Sequence, residues 1–151
     1  MPACASSPDL PDVNEPVKAQ SDEAFLEELQ RRCFLFLYEQ ADPDTGLVAD
    51  RALADGSAKF DVASVASTGY ALAAICVAEE RGWLTHDQAY GRVLTTLRFI
   101  WEDMPHEHGF YYHFVDMKTG ERAWNCELSS IDTGLLLAGV LTARQYYKGT
   151  E

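Results

Sequence analysis

The sequence predicts an all-α protein built as part of an α/α toroid: about two helical hairpins, with a short β-hairpin between the third and fourth helices. Three observations predict it. Helical segments with one apolar side alternate with helical segments whose long central stretch carries no charge. The two uncharged segments share a repeated motif. A single β-rich stretch interrupts the helices.

Residues 1–20 contain Pro2, Pro8, Pro11 and Pro16 among Ser and Asp, a linker composition with little to bury. The folded domain is expected over 21–151. Ser21 is a good N-cap, and Asp22 and Glu23 suit the positive end of a helix dipole. The first helix is predicted over 21–41, with Phe25, Leu26, Leu29, Cys33, Phe36 and Leu37 on its apolar side. Asp42-Pro43-Asp44-Thr45-Gly46 stops it with turn chemistry, and a loop runs on through Asp55-Gly56.

The second helix is predicted over 62–81, with Gly82 as its stop. From Ala63 to Ala78 it carries no charge, the pattern of a helix buried on all sides. The third starts at Thr85-His86-Asp87-Gln88, a capping-box pattern. Ala89, Val93, Leu97 and Ile100 line one side, with Tyr90, Leu94 and Trp101 beside them, and it ends near Met104-Pro105. The period then changes. Phe110 to Asp116 is β-rich, Met117-Lys118-Thr119-Gly120 is a turn, and Glu121 to Cys126 can return as a hairpin or extended loop. The fourth helix, over 129–147, is again uncharged past its first turn until Arg144.

The two uncharged helices align. Ser64-Val65-Ala66-Ser67-Thr68-Gly69-Tyr70-Ala71-Leu72-Ala73 matches Ser129-Ser130-Ile131-Asp132-Thr133-Gly134-Leu135-Leu136-Leu137-Ala138, with Ser, Thr, Gly, Leu and Ala in place. Repeated helical hairpins mean a solenoid or a closed ring. A half-wetted outer layer around a dry inner layer favours the ring, and two hairpins cannot close one. In such rings the functional end is where the inner-helix N-termini converge.

Composition narrows the function. The 151 residues carry 12 Lys+Arg against 24 Asp+Glu, a net charge of −12, which repels phosphate backbones and excludes nucleic acid as a natural partner. No apolar run reaches the ~20 residues that a spanning helix needs. Cys33, Cys76 and Cys126 read as buried thiols. Met1-Pro2-Ala3-Cys4-Ala5-Ser6-Ser7 has the order of a bacterial lipoprotein signal's tail, although Pro2 fits it poorly. With a start codon upstream, Cys4 would be lipidated and the protein periplasmic or exported. With Met1 as the true start, the protein would be cytoplasmic and the leader plain. Nucleotide motifs and the GxSxG elbow are absent.

Several short motifs occur in order: Asp44-Thr45-Gly46-Leu47, Asp50-Arg51, Ala63 to Tyr70, Glu80-Arg81-Gly82-Trp83-Leu84-Thr85, Gly109 to Asp116, and Glu127-Leu128-Ser129-Ser130-Ile131-Asp132-Thr133. Together they make residues 23–147 resemble the bacterial glucoamylase-like family, whose members include endo-β-1,2-glucanases of glycoside hydrolase family 144. The resemblance implies an (α/α)6 barrel of which this chain holds about two hairpins. It implies hydrolysis of β-linked glucans by paired carboxyl groups, without metal or organic cofactor. It also leaves one catalytic carboxylate to a part of the barrel beyond this chain.

Within that frame Glu127 and Asp132 are the catalytic candidates, because they flank the start of an inner helix. Asp132 also completes a capping-box pattern with Ser129, so a purely capping role competes. Tyr111, Tyr112, His113 and Trp124 are candidates for stacking on or hydrogen-bonding a sugar, with packing as the alternative. His106, His108, His113 and Cys126 lack any further ligand pattern and no HExxH is present, so a metal site is not expected. Two other readings stay open: a non-catalytic helical-repeat module that binds a protein, and a truncated, inactive product. An open ring would expose apolar inner-helix surface and favour self-association through that edge.

Overall fold

A computed structural model describes residues 21–54 and 60–149. The leader, with Cys4, and the Asp55-Gly56 turn lie outside the described residues. Among those described are four helices, α1 (Asp22–Glu39), α2 (Val65–Glu80), α3 (His86–Glu102) and α4 (Ser130–Tyr146), and two strands, β1 (Val62–Ser64) and β2 (Phe114–Asp116). No described helix is long and apolar enough to cross a membrane.

Each helix begins where a hydroxyl can satisfy its free N–H groups. Ser21, Ser64, Thr85 and Ser129 are the N-caps, accepting from the backbone of Ala24, Ser67, Gln88 and Asp132. The expected capping box at Thr85 and Gln88 forms in both directions. Gly82, at φ 70°, follows the end of α2 as expected of a glycine stop.

The predicted second helix started too early, because Val62-Ala63-Ser64 is strand. β1 pairs antiparallel with β2, in the register Val62↔Asp116, Ala63↔Val115 and Ser64↔Phe114. The expected hairpin after β2 is present only as a tight reversal. Gly120 donates to the Asp116 carbonyl, and the return limb makes one bridge, Val115↔Arg122. The ladder partner of β2 comes instead from the segment before α2, far away in sequence.

α2 and α4 are parallel neighbours. Gly69 lies against Leu135, Leu136 and Gly139, and at the far end the Tyr147 hydroxyl donates to Glu79 Oε2 at 2.5 Å. A Cβ on Gly139 would overlap the Gly69 carbonyl, and one on Gly69 would overlap the Leu135 carbonyl. Glycine is required at both places because two backbones touch there. α1 and α3 form the outer layer. Phe34 and Leu35 of α1 meet Leu72 and Ile75 of α2 and Val93 of α3, while Leu47, Val65, Ile100, Tyr111, Val115 and Leu136 make a second cluster at the other end.

The repeat is structural. Ser64 N–H donates to the Val48 carbonyl, and Val48 N–H donates to Thr68 Oγ1 at 3.1 Å. In the second copy Ser129 N–H donates to the Tyr111 carbonyl, and Tyr111 N–H donates to Thr133 Oγ1 at 2.9 Å. Each inner helix thus clamps both backbone groups of one residue from the segment before it. A second duplication lies in the turns. Asp42-Pro43-Asp44-Thr45-Gly46 and Asp116-Met117-Lys118-Thr119-Gly120 share an Asp whose Oδ1 accepts two backbone N–H groups and a Gly near φ 70°.

Burial corrects three expectations. The uncharged helices are not covered on all sides: Tyr70 and Val77 of α2, and Ile131, Leu137 and Leu141 of α4, are exposed. On α1 the buried side chains are Phe34 and Leu35, while Phe25, Leu26 and Leu29 of the predicted stripe are exposed. Cys33, read as a buried thiol, is also exposed, whereas Cys76 and Cys126 are buried. Each helix side that no neighbouring hairpin covers remains open.

Candidate active site at the start of α4

The start of α4 and the start of α2 meet through one residue. His113 N–H donates to the Glu127 carbonyl, and the His113 carbonyl accepts from Val65 N–H. The backbone of the β-rich segment therefore joins both inner-helix N-termini, where free N–H groups and positive dipole ends gather.

The His113 ring spans the two carboxylates singled out in the sequence. Its Nδ1 lies 3.1 Å from Glu127 Oε1 and its Nε2 3.6 Å from Asp132 Oδ1. The first is a hydrogen bond and the second a longer electrostatic contact. The Glu127 side chain is 67% exposed and that of Asp132 only 13%. The Glu127 carboxyl is held below the usual carboxylate range, chiefly by its own backbone N–H and then by His113. It is a carboxylate poised to remain ionised.

Capping does not exhaust the role of Asp132. Its backbone N–H donates to Ser129 Oγ, and the Ser129 hydroxyl bonds Asp132 Oδ2. The reciprocal half of a capping box is missing, because Ser129 N–H is already taken by the Tyr111 carbonyl. Asp132 Oδ1 is thereby left to face His113.

An aromatic shelf runs away from these acids. The His113 and Phe114 rings stack at 3.8 Å between centroids, and Phe114 meets Trp124 at 5.2 Å. Trp124 is 60% exposed, and the Arg51 guanidinium sits 5.7 Å from its ring centre. Trp124 and Asn125 adopt φ of 54° and 51°, a left-handed conformation that non-glycine residues rarely take and that clusters at ligand sites. Arg122 holds this bend by donating to the carbonyls of Asn125 and Cys126, and it lies over the Tyr112 ring. Arg51 and Arg122 escaped the sequence reading. The only hint was Asp50-Arg51 as a motif, and the two residues form an ion pair at 2.6 Å.

Not every candidate joins the shelf. Tyr111 is buried in the core, its hydroxyl donating to the Ile100 carbonyl at 3.4 Å. Tyr112 is half-buried beneath Arg122. In a regular strand neighbouring side chains point to opposite faces, but a bend at His113 interrupts the β-rich stretch and His113 and Phe114 stack instead. Among the described residues no group of three or more His, Cys, Asp or Glu could hold a metal. His106 Nδ1 accepts from Gly109 N–H, and Cys126 Sγ bonds the Phe114 backbone.

No family model matches this sequence. The chain is 28% identical over 150 residues to an exo-β-1,2-glucooligosaccharide sophorohydrolase of Parabacteroides distasonis, covering 96% of this chain and 20% of that protein. It therefore spans about a fifth of the length of the curated relative it matches. Among solved structures, a glucoamylase candidate from Bacteroides caccae superposes with a TM-score of 0.77 at 28% identity, over 87% of this chain and 33% of that one. An endo-β-1,2-glucanase from Chitinophaga pinensis has the same fold, with a TM-score of 0.80 at 22% identity, over 88% of this chain and 33% of that one.

Proposed function

We propose that this chain, a relative of β-1,2-glucan hydrolases that shares the glucoamylase-like α/α-toroid fold, supplies one wall of a site that binds and cleaves β-linked glucan. β-1,2-Glucan is the substrate named for its relatives. The observation that carries the reading is the Glu127–His113–Asp132 constellation at the convergent N-termini of α2 and α4, with Trp124 exposed beside it.

Glycoside hydrolysis needs one carboxyl group that keeps its proton for the leaving oxygen and one that is ionised. A general acid has its pKa raised, and Glu127 is pushed the other way. In this reading Glu127 is the ionised partner: it activates water, attacks the sugar, or accepts a hydroxyl's hydrogen bond. Asp132 holds the second His113 nitrogen and fixes the ring, so that His113 presents Glu127 in one orientation. The faces of Trp124 and Phe114 suit the flat apolar side of a pyranose ring. Glu127 stands at an open surface, so the facing wall and the proton donor belong to further hairpins of the ring.

Titrating β-1,2-glucooligosaccharides into the chain, followed by tryptophan fluorescence and by amide NMR shifts, tests the reading. Expected are shifts at Trp124, His113 and Glu127 that β-1,4-linked oligosaccharides of equal length do not reproduce. Equal response to both linkages would reduce the reading to general sugar stacking. No response at these residues would remove it. The same samples assayed for released reducing ends separate binding from turnover. Localisation in the periplasm rests on the Cys4 reading and is tested by mass spectrometry of the native protein.

A further inference from the structure

The internal repeat singles out Asp50 as the counterpart of His113. Asp50 N–H donates to the Val62 carbonyl at 3.0 Å, and His113 N–H donates to the Glu127 carbonyl at 3.1 Å. Val62 and Glu127 each stand two residues before an N-cap serine, Ser64 or Ser129. The neighbouring bridges, Ala49↔Ala63 and Tyr112↔Leu128, keep the same register. Asp50 therefore holds at the start of α2 the place that His113 holds at the start of α4, at the same end of the protein as Glu127 and Asp132.

Asp50 comes with a partner. Arg51 Nε and Nη2 both reach its Oδ2, at 2.7 and 2.6 Å, and the guanidinium carbon lies 5.7 Å from the centre of the Trp124 ring. The Asp50 side chain is 20% exposed and that of Arg51 59%. Asp50 Oδ1 and Arg51 Nη1 take no part in this ion pair. An acceptor and a donor thus stand together beside an exposed indole. Stacking on an indole reads only the apolar face of a pyranose and tolerates changes among its hydroxyls. A fixed carboxylate and guanidinium read two adjacent hydroxyls, one donating to the first and one accepting from the second.

We infer that Asp50 and Arg51 form a specificity element for the sugar on Trp124, binding the free, adjacent, equatorial 3- and 4-hydroxyls of a glucose unit. The inference rests on the glucan-binding reading above. A 1,2-linkage leaves both hydroxyls free on every unit. A 1,3- or 1,4-linkage consumes one of them on every unit except the non-reducing end. A site that hydrogen-bonds a hydroxyl rejects the analogue that cannot offer it, because the site's own polar groups are then left unpaired.

Indole and amide NMR titrations of the full chain test this. Expected is that β-1,2-glucotriose shifts the Trp124 indole and that Arg51→Ala weakens binding by about tenfold. Arg51→Lys keeps the charge but loses the planar fork, and should bind as weakly as Arg51→Ala. The wild-type chain should bind methyl β-glucoside about tenfold more tightly than methyl β-galactoside, whose 4-hydroxyl is axial. Arg51→Ala should bind the two alike. Undiminished binding in Arg51→Ala or Arg51→Lys, or equal binding of the two glycosides by the wild-type chain, would overturn the inference. The glucan-site reading would survive those results as long as Trp124, His113 and Glu127 respond to β-1,2-glucotriose. A wild-type chain with no such response would remove both.

Discussion

Thr68 and Thr133 perform the same task one repeat apart. Each is a buried threonine in the first turn of an inner helix whose hydroxyl oxygen accepts the backbone N–H of a residue in the preceding segment, Val48 or Tyr111. The Thr68 hydroxyl in turn donates a hydrogen bond to the Ser64 carbonyl. These hydroxyls fix the height at which each connecting segment crosses its helix start, and so the height of everything attached to it, His113 included.

Removing either hydroxyl strands a buried N–H. Thr133→Val and Thr68→Val should each lower unfolding free energy by about 1–3 kcal/mol in urea denaturation. Thr133→Val should also weaken glycan binding, because it frees Tyr111 two residues before His113. Thr68→Val should not. Equal binding by the two variants would show that the clamp on Tyr111 does not position the site.

The two glycines of α4 predict opposite signs. Gly139→Ala forces a methyl group into the Gly69 carbonyl and should destabilise the chain. Gly134→Ala adds a methyl group in open space and should stabilise it by about 0.5–1 kcal/mol through helix propensity. Thermal melts of both variants check the pair, and a common sign would contradict the α2–α4 packing.

Acid should act first where carboxylates are tied down. Burial opposes ionisation of Glu79, but the Tyr147 hydroxyl and His86 outweigh it and hold its carboxyl below the usual range. A carboxylate whose folded pKa is depressed contributes stability that is full above its unfolded pKa. That stability is lost as pH falls through the folded value. Glu79→Gln should therefore cost stability at pH 7 and flatten the fall in melting temperature below about pH 4.5, the region of an ordinary glutamate. Melting curves across that range decide it. A variant that falls as steeply as the parent would show that Glu79 is not part of the acid response.

The carboxyl of Glu127 offers a test that depends on His113. Its pKa is depressed by its own backbone N–H first and by His113 second. His113→Ala should move the Glu127 titration upward toward the ordinary glutamate value without abolishing the shift. Carbon-detected NMR of the side-chain carboxyl reads this. Any glycan binding that needs the ionised form should lose its acid limb at a correspondingly higher pH.

How much of this was legible depends on the range of the interaction involved. The N-caps Ser21, Thr85 and Ser129, the Gly82 stop and the α2/α4 repeat were readable because each is set by neighbours a few residues apart, or by the same local chemistry written twice. The repeated Asp-x-x-Thr-Gly turn was equally readable and was missed. Glu127 and Asp132 could be picked out as acids flanking an inner-helix start, and the aromatic stretch as their neighbour.

What the sequence alone determined is the order of charged and uncharged helices, the starts of α1, α3 and α4, the Gly82 stop, and the residue types near the start of α4. Only the tertiary structure decided that β1 pairs with β2, that Tyr111 turns into the core while Trp124 turns out, that Arg51 reaches over Trp124, and that His113 lies between two carboxylates. The physical reason is that strand pairing, ring stacking and ion pairing join residues whose separation along the chain carries no period. An uncharged helix likewise states that it must be covered, but not by which neighbour, so the open sides of α2 and α4 became visible only once the chain was folded.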